Sequence, residues 1–530
     1  MKPKKIDNPV SDRETETVNP LIIILLIWVI FLLNGAFSIP LMPPDEPKYA
    51  SSAEYMLQTG DFITPYFNCQ PRFDKPPVIY WLIAASYKIF GISDWAARIP
   101  SMLAALGVMF IIFRFAEGLY DRKTATMSVV VFASLLHVWV MGRAVAPEFV
   151  LVFFESLALY FLFFGLEKER NKLIYAGYLS LALAFLTKGP VGVIIPGSII
   201  FLYFLYKKGF VHTAKKLFNP LGLLIFISVG LPWYIVMASI HGQQYINEFF
   251  LYHNIYRFTG QAAQHPFSIY YYVPVLIGSL YLWLPFLPHA WENIKESVKN
   301  RDQGLFLIFW FVFVLLFFTI SANKLHNYML ISSPPLAILF GASLTGQQSI
   351  KPLTRKLLFV IIAIEVLALI ALPFFISNIY PVIFLVGFLV ILVSILIAMK
   401  MTSPEKTYHL ILVKGLALLM LVNFYMAAYE SSIRPADAFV VIESTFENEP
   451  IYFYRDTRED LVFYAHRCIP LLRNKAELDE VVKKQKDFIL YIREKHISHI
   501  EGLQKGVLVP FESIKGEREM SYLVEIEKSY

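Results

Sequence analysis

PVIYWLIAASYKIFG, Pro77 to Gly91, decides how the chain is threaded. It is apolar, but Lys88 interrupts it and it is short. A transmembrane helix needs about 20 apolar residues, within a range of about 17–25. This segment therefore suits a helix lying at the membrane interface. Counting it as a crossing would invert every later loop, so the Lys and Arg positions decide the matter.

If Pro77–Gly91 does not cross, the basic loops fall on one side. That side holds Lys2, Lys4, Lys5 and Arg13; Arg122 and Lys123; Lys168, Arg170 and Lys172; and Lys207, Lys208, Lys215 and Lys216. It continues with Lys295, Lys299 and Arg301; Lys351, Arg355 and Lys356; and Lys400 and Lys406. The opposite loops hold Lys48, Arg72, Lys75, Lys88, Arg143, Lys188, Arg257 and Lys324. Under the positive-inside rule the first set is cytoplasmic. Thirteen apolar runs long enough to cross begin near Leu21, Trp95, Thr124, Pro147, Leu173, Pro190, Leu221, Ile269, Leu305, Tyr328, Leu357, Pro381 and Thr407. The N-terminus is then inside and the C-terminus outside. No A-x-A site follows the first run, so it reads as a retained helix rather than a signal peptide.

Composition agrees. Of 530 residues, 57% are hydrophobic and 17% charged, against roughly 25% charged in an average soluble domain. Mean hydropathy is +0.55. These values exclude a disordered chain and a purely soluble enzyme. Two cysteines exclude a disulfide scaffold and a Cys₄ zinc site. The net charge of +6 reports loop orientation, not nucleic-acid binding.

The expected architecture is an all-α polytopic membrane domain over residues 1–429, with external loops at 42–94 and 241–268. A soluble external α/β domain follows over 430–530. In that tail AFVVIES, PIYFYRD, LVFYAHR, FILYIRE and GVLVPFE read as strands, and KAELDEVVKKQ reads as a helix. Cys69 and Cys468 both fall on the oxidising side, where a bond between them is geometrically open.

Ionisable groups at membrane depth cost about 2.5–3.5 kcal/mol each on insertion scales, so they have partners or a job. Here they gather at the external level: Asp45 and Glu46, Asp74 and Lys75, Glu148, Lys188, Arg257 and His265, then Lys324, His326 and Tyr328. A carboxylate can act as general base toward a hydroxyl. Lys, Arg and Tyr hold a phosphate and stabilise its charge as it leaves. An apolar wall beside them takes a hydrocarbon tail. The combination points to group transfer from a lipid phosphate outside the cytoplasm, where ATP is absent. The sequence carries no GxxxxGK[ST] loop, which agrees.

PPDEPKYA (Pro43–Ala50), GDFITPYFN (Gly60–Asn68), FDKPPVIYWLIAASYKIFG (Phe73–Gly91) and DWAARIPS (Asp94–Ser101) resemble the membrane glycosyltransferases of the GT-C superfamily. The nearest likeness is to the lipid A aminoarabinose transferase branch, related to the dolichyl-phosphate-mannose protein mannosyltransferases. TKGPVGVIIPG (Thr187–Gly197), YRFTG…HPFSIYYYVPVL (Tyr256–Leu276) and NKLHNYML (Asn323–Leu330) also resemble that family.

The resemblance implies a bacterial inner-membrane enzyme with a periplasmic cavity. Its donor would be an undecaprenyl-phosphate-linked sugar, transferred with inversion at the anomeric carbon. The acceptor would be lipid A or another periplasmic glycan or protein. Asp45 matches the loop acid taken as catalytic, and Glu148 matches a second functional acid that is more often Asp. Lys75, Arg257 and Tyr328 match positions that hold the carrier phosphate; Glu46 and Lys324 stand beside them as substrate-binding candidates. Asp74, more often Glu, and His265 occupy a place where some relatives hold a divalent metal ion such as zinc. No other cofactor is implied. The first long loop, with Pro, Gly and Asn to hinge, is expected to close over the site.

Each residue has a plainer reading. Asp45 and Glu46 can cap a helix beginning at Pro47. Lys75 can snorkel at the interface. Arg257 can pair with Glu248, and Glu148 with Arg143. A protein O-mannosyltransferase-like enzyme and a non-catalytic lipid transporter are the alternative functions.

Overall fold

The computed structural model describes residues 39–400 and 450–527, apart from 263–264, 302, 346–348, 376–380, 486, 501–503 and 513–519, together with Ile22, Leu26, Lys414 and Gly415. The runs expected from Leu21 and Thr407, and the strand AFVVIES, lie outside the described residues.

Apolar helices dominate. Asp94–Leu119, Glu148–Glu167, Val191–Lys208 and His326–Leu344 are each long and apolar enough to cross a membrane. Two further runs are broken. Pro220–Gly230 meets Pro232–Thr259 at 41°, and Tyr272–Ser279 meets Tyr281–Asn300 at 85°. Pro232 stands at the first bend and cannot donate the helical hydrogen bond, and the second falls at Leu280, ahead of the 3₁₀ segment Tyr281–Phe286. The run expected from Ile269 is thus broken by a sharp turn. The run expected from Thr124 is also divided, into Arg122–Ala133 and Leu136–Met141. Asp121 caps its start by accepting from Thr124 N at 2.7 Å. Ser134 at the break accepts from Trp283 Nε1 at 2.9 Å.

Val78–Phe90 is a helix of 13 residues, about 20 Å long at 1.5 Å per residue, too short to cross upright. Short links such as 168–170 make neighbouring helices antiparallel. Small residues let them approach closely: a Cβ on Gly341 would lie 2.8 Å from the Ser128 backbone nitrogen.

The loop expected over 42–94 is built rather than open. It starts with the helix Asp45–Thr59. A turn follows in which Asp61 Oδ1 accepts from Ile63 N and Thr64 N at 2.9 and 3.1 Å. Next comes a hairpin of β1 (Tyr66–Phe67) and β2 (Gln70–Pro71). Its two tip residues, Asn68 and Cys69, have φ of 51° and 60°, as a two-residue hairpin turn requires. Trp233 Nε1 donates to Ile63 O at 2.9 Å, and Thr64 Oγ1 lies 2.8 Å from His241 Nε2. These contacts fasten the middle of the loop to the chain around Trp233 and His241.

The C-terminal part is α/β. Strands β3 (Ile451–Tyr454), β4 (Leu471–Leu472), β5 (Asp487–Arg493), β6 (Gln504–Glu512) and β7 (Met520–Glu527) form one sheet in the order β4-β3-β5-β7-β6. β3 is parallel to β4 and β5, whereas β7 is antiparallel to β5 and β6. Along β5, Ile489 and Tyr491 face one apolar layer, and Phe488, Leu490 and Ile492 the other, the period of two of a sheet buried on both faces. LVFYAHR is corrected from strand to helix, Glu459–Tyr464. Glu459 and Asp460 open its first turn, where acids are favoured, and Leu461 and Val462 cover the sheet. The helix Lys475–Lys484 covers the other face and is capped by Asn474, which accepts from Glu477 N at 3.0 Å.

Candidate functional site

Two cavities lie side by side, and one ion pair spans their shared wall. The first, of about 390 Å³, is lined by Asp45, Glu46, Tyr49, Arg98, Trp139, Arg143, Glu148, His326 and Asn327, among others. The second, of about 90 Å³, is lined by Asp74, Lys75, Lys188, His253, Asn254, Arg257, Ser321, Asn323 and Tyr328, with Val191, Phe258, Phe317, Phe318 and Ile331 as its apolar part. Glu148 lines the first and Lys188 the second. Lys188 Nζ donates to Glu148 Oε1 at 2.9 Å, and Asn327 Nδ2 donates to the same oxygen at 2.9 Å. An acid pocket thus abuts a cation pocket.

Local sequence explains the placement. Asp45 lies in the first turn of its own helix, with Pro44 in the capping position. Its carboxylate is exposed and faces the larger cavity. The capping reading, with a helix beginning at Pro47, is corrected accordingly. Lys188 ends the helix Asn171–Lys188, and Gly189 follows at φ 74°. Gly189 permits the left-handed backbone that ends the helix there. Tyr328 sits in a 3₁₀ segment, His326–Ser332, and stacks on Phe318 at 4.7 Å. Asn323 Nδ2 donates to its hydroxyl at 3.4 Å, and Lys188 Nζ lies 5.1 Å from its ring centre. His253 and Asn254 come from the π-helix Ile246–Tyr256, a rare form frequent at functional sites. Arg257 follows it directly.

Asp74 and Lys75 are held in the loop by a third residue. Arg72 Nε and Nη2 donate to Asp74 Oδ1 and Oδ2 at 2.6 and 2.8 Å. Lys75 Nζ donates to Asp74 O at 3.1 Å and lies 3.6 Å from Oδ2. Burial alone would raise the Asp74 carboxyl, but Arg72 and Lys75 hold it well below the usual carboxylate range. Burial pulls the Lys75 ammonium below its usual range. Asp74 opposes that, while Lys188, Arg72 and Arg257 reinforce it. The pocket therefore concentrates positive charge that an anion would relieve.

Lys324 and His265 lie outside both cavities, whereas Glu46 lines the larger one. The Glu46 carboxylate is occupied by the chain itself. It accepts from Met42 N at 2.8 Å and Val145 N at 2.9 Å, and pairs with Arg98 at 3.4 Å. Lys324 is buried outside the second cavity and donates to Ser321 O at 2.6 Å; it braces the turn that carries Asn323. The His265 ring is exposed and stacked with Phe267, while its backbone nitrogen donates to Asn323 Oδ1 at 2.9 Å. Among the described residues no three His, Cys, Asp or Glu side chains gather as a metal group. With Asp74 engaged by two cations, the pair Asp74 and His265 does not fit a divalent ion.

Glu148 pairs with Lys188 rather than Arg143, whose guanidinium lies 3.8 Å from the Trp139 ring centre. The Glu248 side chain accepts from Gln244 Nε2 at 3.1 Å. Sequence reasoning placed Lys188 at the right level but gave it no role. Its signal was the TKGP turn, which aims the last residue of a helix into the site.

Comparison with known proteins follows the same lines. A family model described as dolichyl-phosphate-mannose-protein mannosyltransferase matches residues 74–235. An uncharacterized protein of Aquifex aeolicus is 32% identical over 498 residues, covering 93% of this chain and 99% of its own. An undecaprenyl phosphate-alpha-4-amino-4-deoxy-L-arabinose arabinosyl transferase of Photorhabdus laumondii is 31% identical over 312 residues, 58% of this chain and 55% of the relative. Its counterpart in Aeromonas hydrophila is 32% identical over 325 residues, 60% and 58%. The match thus spans somewhat more than half the length of these two transferases. In fold, the crystal structures of ArnT from Cupriavidus metallidurans superimpose with TM-scores of 0.78 in the apo state and 0.77 bound to undecaprenyl phosphate. Their identities are 19% and 20%, and both cover 95% of this chain and 97% of theirs.

Proposed function

We propose that the chain is a GT-C membrane glycosyltransferase of the aminoarabinose-transferase and protein-mannosyltransferase type, as its similarity to both supports, and that it moves a sugar from undecaprenyl phosphate to a periplasmic acceptor, lipid A first among them. The observation that carries this reading is the pair of adjoining cavities, one acidic and one cationic, joined by Glu148 and Lys188. Thirteen crossings with the site and the C-terminal domain outside complete the proposal.

The donor phosphate sits with Lys75, Arg257 and Tyr328, and Lys188 adds a fourth contact. Phe258, Phe317 and Phe318 start the path of the prenyl tail. Ile255, Leu316 and Ile320 are exposed on the same helices and continue it toward lipid. The acceptor enters the larger cavity. Its oxygen attacks C1 of the sugar from the face opposite the phosphate, the C1–O bond to the phosphate breaks, and the configuration inverts. A hydroxyl acceptor gives its proton to Asp45; an anionic phosphate acceptor has none to give, and Asp45 then orients the attack. Negative charge grows on the departing undecaprenyl phosphate, where the cations are already placed. Glu148 holds Lys188 charged and aimed. No metal enters these steps.

The mannosyltransferase match over 74–235 keeps a peptide acceptor as the second reading. Mass spectrometry of lipid A and of membrane proteins from cells with and without the protein separates the two. Sugar on lipid A supports the first reading, and sugar on protein replaces it with the second.

A further inference from the structure

The helix Asp45–Thr59 carries Asp45 at one end and is gripped by the C-terminal domain along its length. Lys48 Nζ pairs with Glu459 at 3.1 Å. Glu54 Oε1 lies 2.7 Å from His466 Nδ1, with the Glu54 side chain only 5% exposed. The segment leading into the helix is held by Tyr464. Its hydroxyl accepts from Leu41 N at 3.1 Å and donates to Asp94 Oδ2 at 2.8 Å. Arg98 secures the two preceding carbonyls, Ile39 O at 2.6 Å and Pro40 O at 3.0 Å. The hairpin after the helix is bound to the same domain. Asn68 Nδ2 donates to Ile469 O at 2.8 Å, Ile469 N donates to Asn68 Oδ1 at 2.6 Å, and Cys69 is disulfide-bonded to Cys468.

We propose that the C-terminal domain is a clamp that sets the position of the catalytic acid, with Tyr464 and His466 as its positioning residues. The inference rests on the transferase reading of Asp45. An exposed carboxylate at a helix start is aimed only as well as its backbone is. Tyr464 and His466, next but one in sequence, hold the helix on either side of Asp45, the first through the Leu41 backbone nitrogen and the second through the Glu54 carboxylate. Neither lines the cation pocket, so the clamp bears on the acid and leaves the phosphate contacts alone. A displacement near 1 Å at a reacting group costs about a hundredfold in rate, and such an effect appears in kcat while donor binding stays.

The test uses the full chain in lipid nanodiscs. Tyr464→Phe removes one oxygen and keeps the ring. His466→Ala removes a side chain 41% exposed, which the fold can lose. Three quantities are read: kcat with an undecaprenyl-phosphate-linked sugar and lipid A, the Kd for undecaprenyl phosphate, and amide exchange. We expect kcat to fall about tenfold or more in Tyr464→Phe and less in His466→Ala. The Kd should not change, and exchange should quicken in the peptide spanning 41–46 but not in those holding Lys188 and Arg257. Unchanged kcat in both variants, unchanged exchange at 41–46, or a Kd that weakens in step with kcat would each overturn the clamp. A wild-type protein that transfers no sugar would overturn the transferase reading instead, and the exchange of 41–46 then decides the clamp alone.

Discussion

Lys75 is the residue whose chemistry the pocket alters most usefully. Its pKa is drawn below the ordinary lysine value by burial and by neighbouring cations. Between the folded and unfolded values the unfolded chain binds more protons, so stability rises with pH through that window. Affinity for an anionic phosphate moves the opposite way, because the ammonium is lost. We expect the Kd for undecaprenyl phosphate to weaken as pH is raised from about 7 to about 10, below the ordinary lysine value of about 10.4. Lys75→Arg should abolish that drift, and calorimetric titration across the range checks it. Asp74 has the reverse sign. Its depressed pKa contributes stability above the ordinary carboxylate value of about 3.9, and that contribution is lost as pH falls toward its folded value. Glu148 and Lys188 should behave as a coupled unit. Breaking a buried pair by removing one partner costs about 3–5 kcal/mol. Glu148→Ala and Lys188→Ala should therefore each destabilise strongly, and the double variant should cost less than their sum, as thermal unfolding of the four proteins will show. Asp45, Lys75, Arg257 and Tyr328 line the two cavities; the depth of polar groups gave their level, and the family resemblance singled them out from the others there. Lys324 looked the same there and lies outside both cavities, since sequence gives the level of a side chain but not its direction.

Among the elements, apolar runs mark where helices form but not where they bend. The turn at Leu280–Tyr281 lies a few residues before Pro285, and the division at Ser134 meets Trp283 from that bent pair, a contact that no single run encodes. The strand β7 and the helix Glu459–Tyr464 were missed in the tail for a related reason: a short apolar stretch fits either period, and burial against the sheet chose. The hairpin tip is the element with the clearest consequence. A cross-link between residues 399 apart in sequence restricts the unfolded chain, an effect of about 2–4 kcal/mol in typical cases. Cys69→Ser should lower the thermal midpoint by a corresponding amount, and reductant should lower the wild-type midpoint but leave the variant's unchanged.

For the whole molecule, the short helix Val78–Phe90 fixes the sidedness of everything after it. Reporter fusions after Lys123 and after Arg143 should read inside and outside respectively; the reverse pattern contradicts this topology, because a crossing at Val78–Phe90 would put Asp45 and Lys75 on the opposite side from Glu148, Lys188 and Arg257, which line the same two cavities. The two cavities take residues from segments hundreds of positions apart, so their adjacency was visible in the sequence only as a shared level. The most direct measurement is sugar transfer by the purified chain from undecaprenyl-phosphate-linked aminoarabinose to lipid A, followed by mass spectrometry beside Asp45→Asn. The account predicts a mass gain of one sugar on lipid A with wild-type protein. The variant, equally folded, should lose about a hundredfold or more of the rate, in keeping with the usual worth of a general base. Transfer by Asp45→Asn at the wild-type rate, or none by the wild type, would contradict it.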